Sequence, residues 1–213
     1  MRRLEFHPAR HGFHFPNLFV NNVSPGITTY GLCGGMALAV ARYWLARLPI
    51  PTHTTADFPD GSPAGVPPPG SPLHGYIYDC QLASYGPLNI VSAANWVVFP
   101  HVTWDDQFNW SVAEFTAARR LIDAGLAALL GLRQRKAGDA AGHQVLAYGY
   151  DEATWTLLVY EPNFPDQEIT MRLDHGARRI VHSGEGSPEW SSYFVTGCPI
   201  EGPRPPYVDL GLQ

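Results

Sequence analysis

Residues 143–163 read HQVLAYGYDEATWTLLVYEPN, and this stretch decides the fold. Two apolar runs, 143–151 and 156–163, flank a short polar turn at 151–154, which is the pattern of a β-hairpin. Residues paired across a hairpin sum to a near-constant number. With the turn centred near 152–153, His143 falls opposite about residue 162. Glu161 and Asn163 flank that position and, being two apart, share one face if the strand runs through them. Either could accept a hydrogen bond from the imidazole N–H of His143 and fix its tautomer.

Working outward, 126–134 (LAALLGLRQ), 167–174 (QEITMRLD) and 189–197 (EWSSYFVTG) read as further strands, extending a mostly antiparallel sheet. Upstream the period changes. In 33–48, CGGMALAVARYWLARL, residues Met36, Ala37, Val40, Ala41, Trp44, Leu45 and Leu48 fall on one helical face, and Pro49 and Pro51 stop the helix. Segments 73–84 and 89–98 read as short helices. Ser111 and Glu114 have capping-box spacing, which predicts a helix opening there and running to about Asp123. Residues 1–32 have turn and aromatic character, and 49–72 is a Pro/Gly-rich loop, either disordered or packed on the surface, or a rim or lid over a site. Helices first and strands second predict an α+β fold, with N-terminal helices packed on a C-terminal antiparallel sheet, as a single domain over 1–213.

Composition narrows the function classes. The 213 residues are 45% hydrophobic, only 15% charged, and carry a net charge of −5, so a basic nucleic-acid footprint is not expected. No apolar run is long enough to span a bilayer. The first 17 residues lack the apolar core of a secretory signal, which makes a cytoplasmic location the default and leaves export by a signal-less route open. Cys33, Cys80 and Cys198 are too few and too scattered for a disulfide framework or zinc site, so reduced thiols are expected. His7, His11 and His14 have no framework to fix metal-ligand geometry, and neither a metal nor a cofactor is expected. The oligomeric state is not legible.

Cys33, in Gly31-Leu32-Cys33-Gly34-Gly35-Met36, sits at the mouth of the first long helix. Unpaired backbone N–H groups and the helix dipole favour negative charge there, and such placement lowers a thiol pKa to roughly 3.5–7.5. Two glycines weaken the helix by about 1 kcal/mol each relative to alanine, and close approach of a substrate backbone would account for them. A thiolate nucleophile needs a proton carrier matched to neutral pH, normally histidine. Of nine histidines, eight lie in turns, tails or loop edges; His143 alone opens an apolar strand.

The order Cys at a helix start, His on a later strand, and Asp or Asn at the end of the next resembles the papain-like cysteine peptidases. More narrowly, GLCGGM, GHQVLAYGYD and VYEPN are similar to motifs of a bacterial and fungal papain-like group, and to the peptidase domain of bacteriocin-processing exporters. The similarity covers about residues 11–165. It implies a papain-like fold, with Cys33 as nucleophile and His143 as its base. The third position departs: the group has Asp-Pro where this chain has Glu161-Pro162, so Glu161 or Asn163 takes the orienting role. The resemblance also implies an upstream side-chain amide in the oxyanion hole, and Asn17 is the candidate.

These readings predict a thiol hydrolase acting on a peptide or isopeptide bond of a peptide or protein substrate. Acyl transfer or deamidation by the same triad, or a catalytically silent binding or toxin-associated module, are the alternatives.

Overall fold

In the computed structural model, which describes residues 1–24, 27–60, 63–85, 104–134, 142–197 and 203–206, secondary structure begins at once. Strand β1 (Arg2–Arg3), helix α1 (Pro8–His11) and a hairpin of β2 (Val20–Ser24) and β3 (Ile27–Tyr30) precede helix α2 (Cys33–Leu45). Helices α3 (Pro72–Ser84) and α4 (Trp104–Asp123) follow. Six strands complete the order: β4 (Ala128–Gln134), β5 (Gly142–Asp151), β6 (Thr156–Tyr160), β7 (Ile169–Asp174), β8 (Arg179–His182) and β9 (Trp190–Gly197). The expected helix at 89–98 and the thiol of Cys198 lie outside the described residues.

The six strands β4 to β9 do not form an open sheet. They pair in the order β5-β4-β9-β8-β7-β6, and β6 pairs back onto β5, closing an antiparallel barrel. The class is therefore mainly β, with four α-helices among the described residues, and this overturns the expected α+β papain-like arrangement of helices on a C-terminal sheet. Two features escaped the sequence pattern. Residues 179–182, too short to stand out between loops, form β8, which bridges β7 to β9 through Leu173 opposite Ile180 and Ile180 opposite Trp190. Strand β5 is hydrogen-bonded on both edges, to β4 and to β6, and that double use closes the ring. β1 adds to β5 at its far end, with Arg2 opposite Tyr150.

Strand β5 is also buried on both faces. Val145 and Ala147 join inward residues of the other barrel strands and Phe108, Phe115, Ala118 and Ile122 of α4 in one core. Leu146 and Tyr148 face a second core built from α2, α3 and the N-terminal aromatics Phe6, Phe13, Phe15 and Phe19. The 49–72 loop is tied into that second core by Ile50, Phe58 and Val66, with Phe58 edge-on to Phe15 at 5.6 Å.

Two helix boundaries differ from expectation. α2 ends at Leu45 rather than 48, because Arg47 takes a left-handed φ of 55°. The Leu48 N–H then donates to Tyr43 O and the Arg47 N–H to Trp44 O, the Schellman pattern that satisfies the last carbonyls. α4 begins at Trp104, so Ser111 and Glu114 lie inside it and cap nothing. They fasten the helix to β9 instead. Ser111 Oγ accepts from Tyr193 N–H at 3.0 Å and donates to Tyr193 O, while Glu114 Oε2 accepts from Val195 N–H at 2.7 Å.

Candidate active site

The approach to Cys33 is a strained turn. Gly31 has φ +78°, a region open chiefly to glycine, and a Cβ there would meet Asn17 Nδ2 at 2.7 Å. Asn17 Oδ1 accepts from the Leu32 N–H at 2.6 Å, and the Asn17 N–H donates to Pro162 O at 3.0 Å. One residue thus braces the turn before Cys33 to the turn that carries Glu161. Cys33 is the first residue of α2, and its thiol is partly accessible.

The glycines after it have an internal cause, which corrects the expectation of substrate approach. A Cβ on Gly35 would lie 2.2 Å from the Ile77 carbonyl of α3, and Gly35 N–H donates to Gln81 Oε1 at 2.8 Å. A Cβ on Gly34 would fall 1.6 Å from Gln144 Oε1, which accepts from Ser84 Oγ. Both glycines are buried, and they let α3 and β5 close onto the start of α2.

β5 delivers the partners. The Gln144 N–H donates to Cys33 Sγ at 3.3 Å, and the neighbouring His143 imidazole acts electrostatically on the same sulfur. Trp190 stacks on the imidazole, with centroids 5.6 Å apart and planes 18° from parallel, and covers that face. His143 Nε2 meets Glu161 Oε1 at 2.6 Å, which leaves Nδ1 as the nitrogen for Cys33. Glu161 is 1% exposed and follows directly on β6.

The hairpin arithmetic was close but off by one. Leu146 lies opposite Tyr160, whereas Tyr150 lies opposite Leu157, because β5 bulges between Ala147 and Gly149. The strand also ends at Tyr160, so the following residues turn away from the ladder. Between the two candidates, the structure brings Glu161 onto His143. The Asn163 side chain is exposed, and only its N–H takes part, donating to Glu161 Oε1 at 2.9 Å.

The charges in this chain reinforce one another. Burial pushes the Cys33 thiol up, but the His143 charge, its hydrogen bond and the N–H groups of Gln144 and Gly34 outweigh it and hold the thiol below its ordinary value. Burial alone would lower His143; the Glu161 carboxylate and the Cys33 sulfur reverse that and hold the imidazole above its usual range. Burial would raise Glu161, yet His143 and the Asn163 N–H keep its carboxyl below the usual range. All three shifts favour the charged forms: thiolate, imidazolium and carboxylate. Cys80, by contrast, is a buried thiol pushed up to about 12 by desolvation.

His182, a loop-edge histidine by sequence pattern, belongs to the site as well. It ends β8, its side chain is 2% exposed, and its Nε2 lies 3.4 Å from Glu161 Oε2. Ile180, two residues earlier, is buried on the same strand, so reading a strand at 179–182 would have turned His182 inward too. The histidines at 7, 11 and 14 are engaged elsewhere: the His7 ring meets the Arg3 guanidinium, His11 Nδ1 accepts from the His7 N–H, and His14 pairs with Asp166.

Fold and site together define a mainly β protein with a thiol, an imidazole and a carboxylate gathered at the end of a six-stranded barrel where β5 begins and β6 ends. No family model, curated protein or solved structure matches the chain. No helix among the described residues is long and apolar enough to cross a membrane.

Proposed function

We propose that the protein is a thiol hydrolase that cleaves a peptide or isopeptide bond. The observation that carries this reading is the grouping of Cys33, His143 and Glu161, in which His143 acts on the Cys33 sulfur and is hydrogen-bonded to Glu161 Oε1 at 2.6 Å. The Cys33 thiolate attacks the carbonyl carbon and forms a C–S bond. His143 gives its proton to the departing amine nitrogen as the C–N bond breaks, leaving a thioester. Water then attacks the thioester, His143 takes its proton, and the acid leaves with Cys33 restored as thiolate. Glu161 keeps the imidazole in one orientation and stabilises its charged form, the role of the third residue in such triads. Asn17, with Oδ1 held by Leu32, has Nδ2 as a donor beside the Cys33 turn for the carbonyl oxygen.

The test begins with iodoacetamide at neutral pH. Cys33 is expected to alkylate far faster than Cys80, and equal rates overturn the reading. A library of peptides and lysine-linked isopeptides, assayed with wild type and Cys33→Ala, then identifies the bond. Adding a primary amine separates hydrolysis from acyl transfer: a hydrolase yields free acid, a transferase yields the new amide.

A further inference from the structure

We propose that His182 is a positioning residue of this site, whose Nε2–H holds the outer oxygen of Glu161 so that the carboxylate keeps its inner oxygen on His143. The inference rests on the thiol-hydrolase reading and adds a fourth member to its chain.

The proton on the His182 ring is placed by its neighbours. The Gly184 N–H donates to His182 Nδ1 at 3.0 Å, so Nδ1 presents a lone pair and the ring hydrogen sits on Nε2. Nε2 is buried and finds no hydrogen-bond partner at close range. It faces Glu161 Oε2 at 3.4 Å. Glu161 Oε1 already accepts from His143 Nε2 and from the Asn163 N–H. Among the described residues, no other side chain bonds Oε2. The groups facing this carboxylate are therefore His143 from β5, the Asn163 N–H from its own turn and His182 from β8, with Cys33 of α2 beyond His143.

A glutamate has one more rotatable bond than an aspartate, and its terminal torsion is soft. Held at one oxygen alone, Glu161 could swing off the imidazole; held at both, it cannot. The surroundings fix the ring for this purpose. Phe164 packs on it with centroids 5.8 Å apart, and a Cβ on Gly184 would strike Phe164 at 2.6 Å and His182 Cε1 at 2.8 Å. The contact is long for a hydrogen bond, as catalytic contacts often are before substrate binds.

Two measurements test this. Nitrogen-15 NMR of the intact protein, with labelled histidine, is expected to show His182 as the Nε2–H tautomer; the Nδ1–H tautomer overturns the proposal. The acid midpoint of Cys33 alkylation by iodoacetamide is then compared in wild type, His182→Phe and His182→Gln. Phe keeps the ring without a donor, and the midpoint is expected to rise by about one pH unit, a tenfold weaker thiolate. Gln returns an N–H near the same place and is expected to restore most of the shift. A Phe variant with the wild-type midpoint, or a folded Gln variant with no rescue, overturns the role. If His182→Phe fails to fold, the tautomer and the Gln midpoint decide. If wild-type Cys33 reacts no faster than Cys80, the hydrolase reading falls instead, and the tautomer alone still judges the Glu161 contact.

Discussion

His143 Nε2 and Glu161 Oε1 are 2.6 Å apart in a pocket that leaves the carboxylate 1% exposed, so a full negative charge is buried against a ring that can carry a positive one. An uncompensated charge at that depth would be costly, and the pair exists because each partner stabilises the ionised form of the other. A glutamate fills the place because β6 stops at Tyr160, and Pro162 with its carbonyl on Asn17 holds the following turn.

Replacing Glu161 with Gln keeps the shape and removes the charge. In serine triads the matching change costs about 10⁴ in kcat, much of it through the wrong tautomer. A thiolate–imidazolium pair formed before attack should suffer less, and a loss of roughly 10²-fold is expected. Asn163→Ala should change little, since only the backbone of Asn163 is engaged. The measurement is kcat/KM for both variants on one peptide; the opposite ranking would move the orienting role to Asn163.

The pH profile of Cys33 alkylation should be displaced at its acid end. With the thiol held low and the imidazole held high, the ion pair persists between the two, so the rise in reactivity should come at a lower pH than for an ordinary thiol. Turnover, which also needs the imidazolium, should fall again above the ordinary histidine range. A single rise near pH 8.5, the free-thiol value, would show an unpaired cysteine.

Stability should follow the same charges. Glu161 has a depressed folded value, so its contribution is present above the unfolded carboxyl value near 4.3 and is lost as pH falls through the folded one. His143 has a raised folded value, so its contribution is full below about 6.5 and is lost as pH rises through the folded one. Tm should therefore decline on both sides of a mildly acidic plateau, between about 4.3 and about 6.5. Glu161→Gln should flatten both arms, which thermal melts across pH will show.

The two glycines of α2 make a test of sign. Helix propensity alone predicts that Gly35→Ala stabilises by about 1 kcal/mol. Contact with the Ile77 carbonyl predicts the reverse, a loss of about 1–3 kcal/mol, because that backbone atom has nowhere to go. Gly34→Ala meets the end of the Gln144 side chain instead and should cost less. Urea melts of the two variants give the order directly.

Asn17 separates bracing from catalysis. Asn17→Asp keeps the oxygen that accepts from Leu32 and removes the amide nitrogen. An oxyanion donor lost in this way should lower kcat by roughly 10²–10³-fold while leaving Tm near that of wild type. Asn17→Ala should lower both. Near-normal kcat in the Asp variant would mean that Asn17 only joins the Cys33 and Glu161 turns.

The parts legible in the sequence were those whose signals are local. The start of α2 at Cys33, helix α3, and the hairpin linking His143 to Glu161 follow from periodicity, proline stops and a turn of polar residues. The illegible parts depend on partners far away in the chain. Ring closure rests on the four residues of β8, and nothing local says that β5 pairs on both edges. Ser111 and Glu114 carry a capping pattern, yet their hydrogen bonds go to β9, more than 80 residues on. Gly34 and Gly35 speak of close approach, but only the fold tells that the approaching groups are Gln144 and Ile77.

The site is divided unequally along the chain. His143 and Glu161 belong to one hairpin, 18 residues apart, whereas Cys33 precedes its β5 contact at Gln144 by 111 residues. During synthesis the cysteine emerges first and waits without a base, as an ordinary slow thiol. Its activation requires the hairpin to form and then to dock against the α2–α3 pair, a long loop closure that comes late in folding. A newly made chain is thus chemically quiet until it is complete through β6, and the onset of fast alkylation at Cys33 marks the moment when its two halves join.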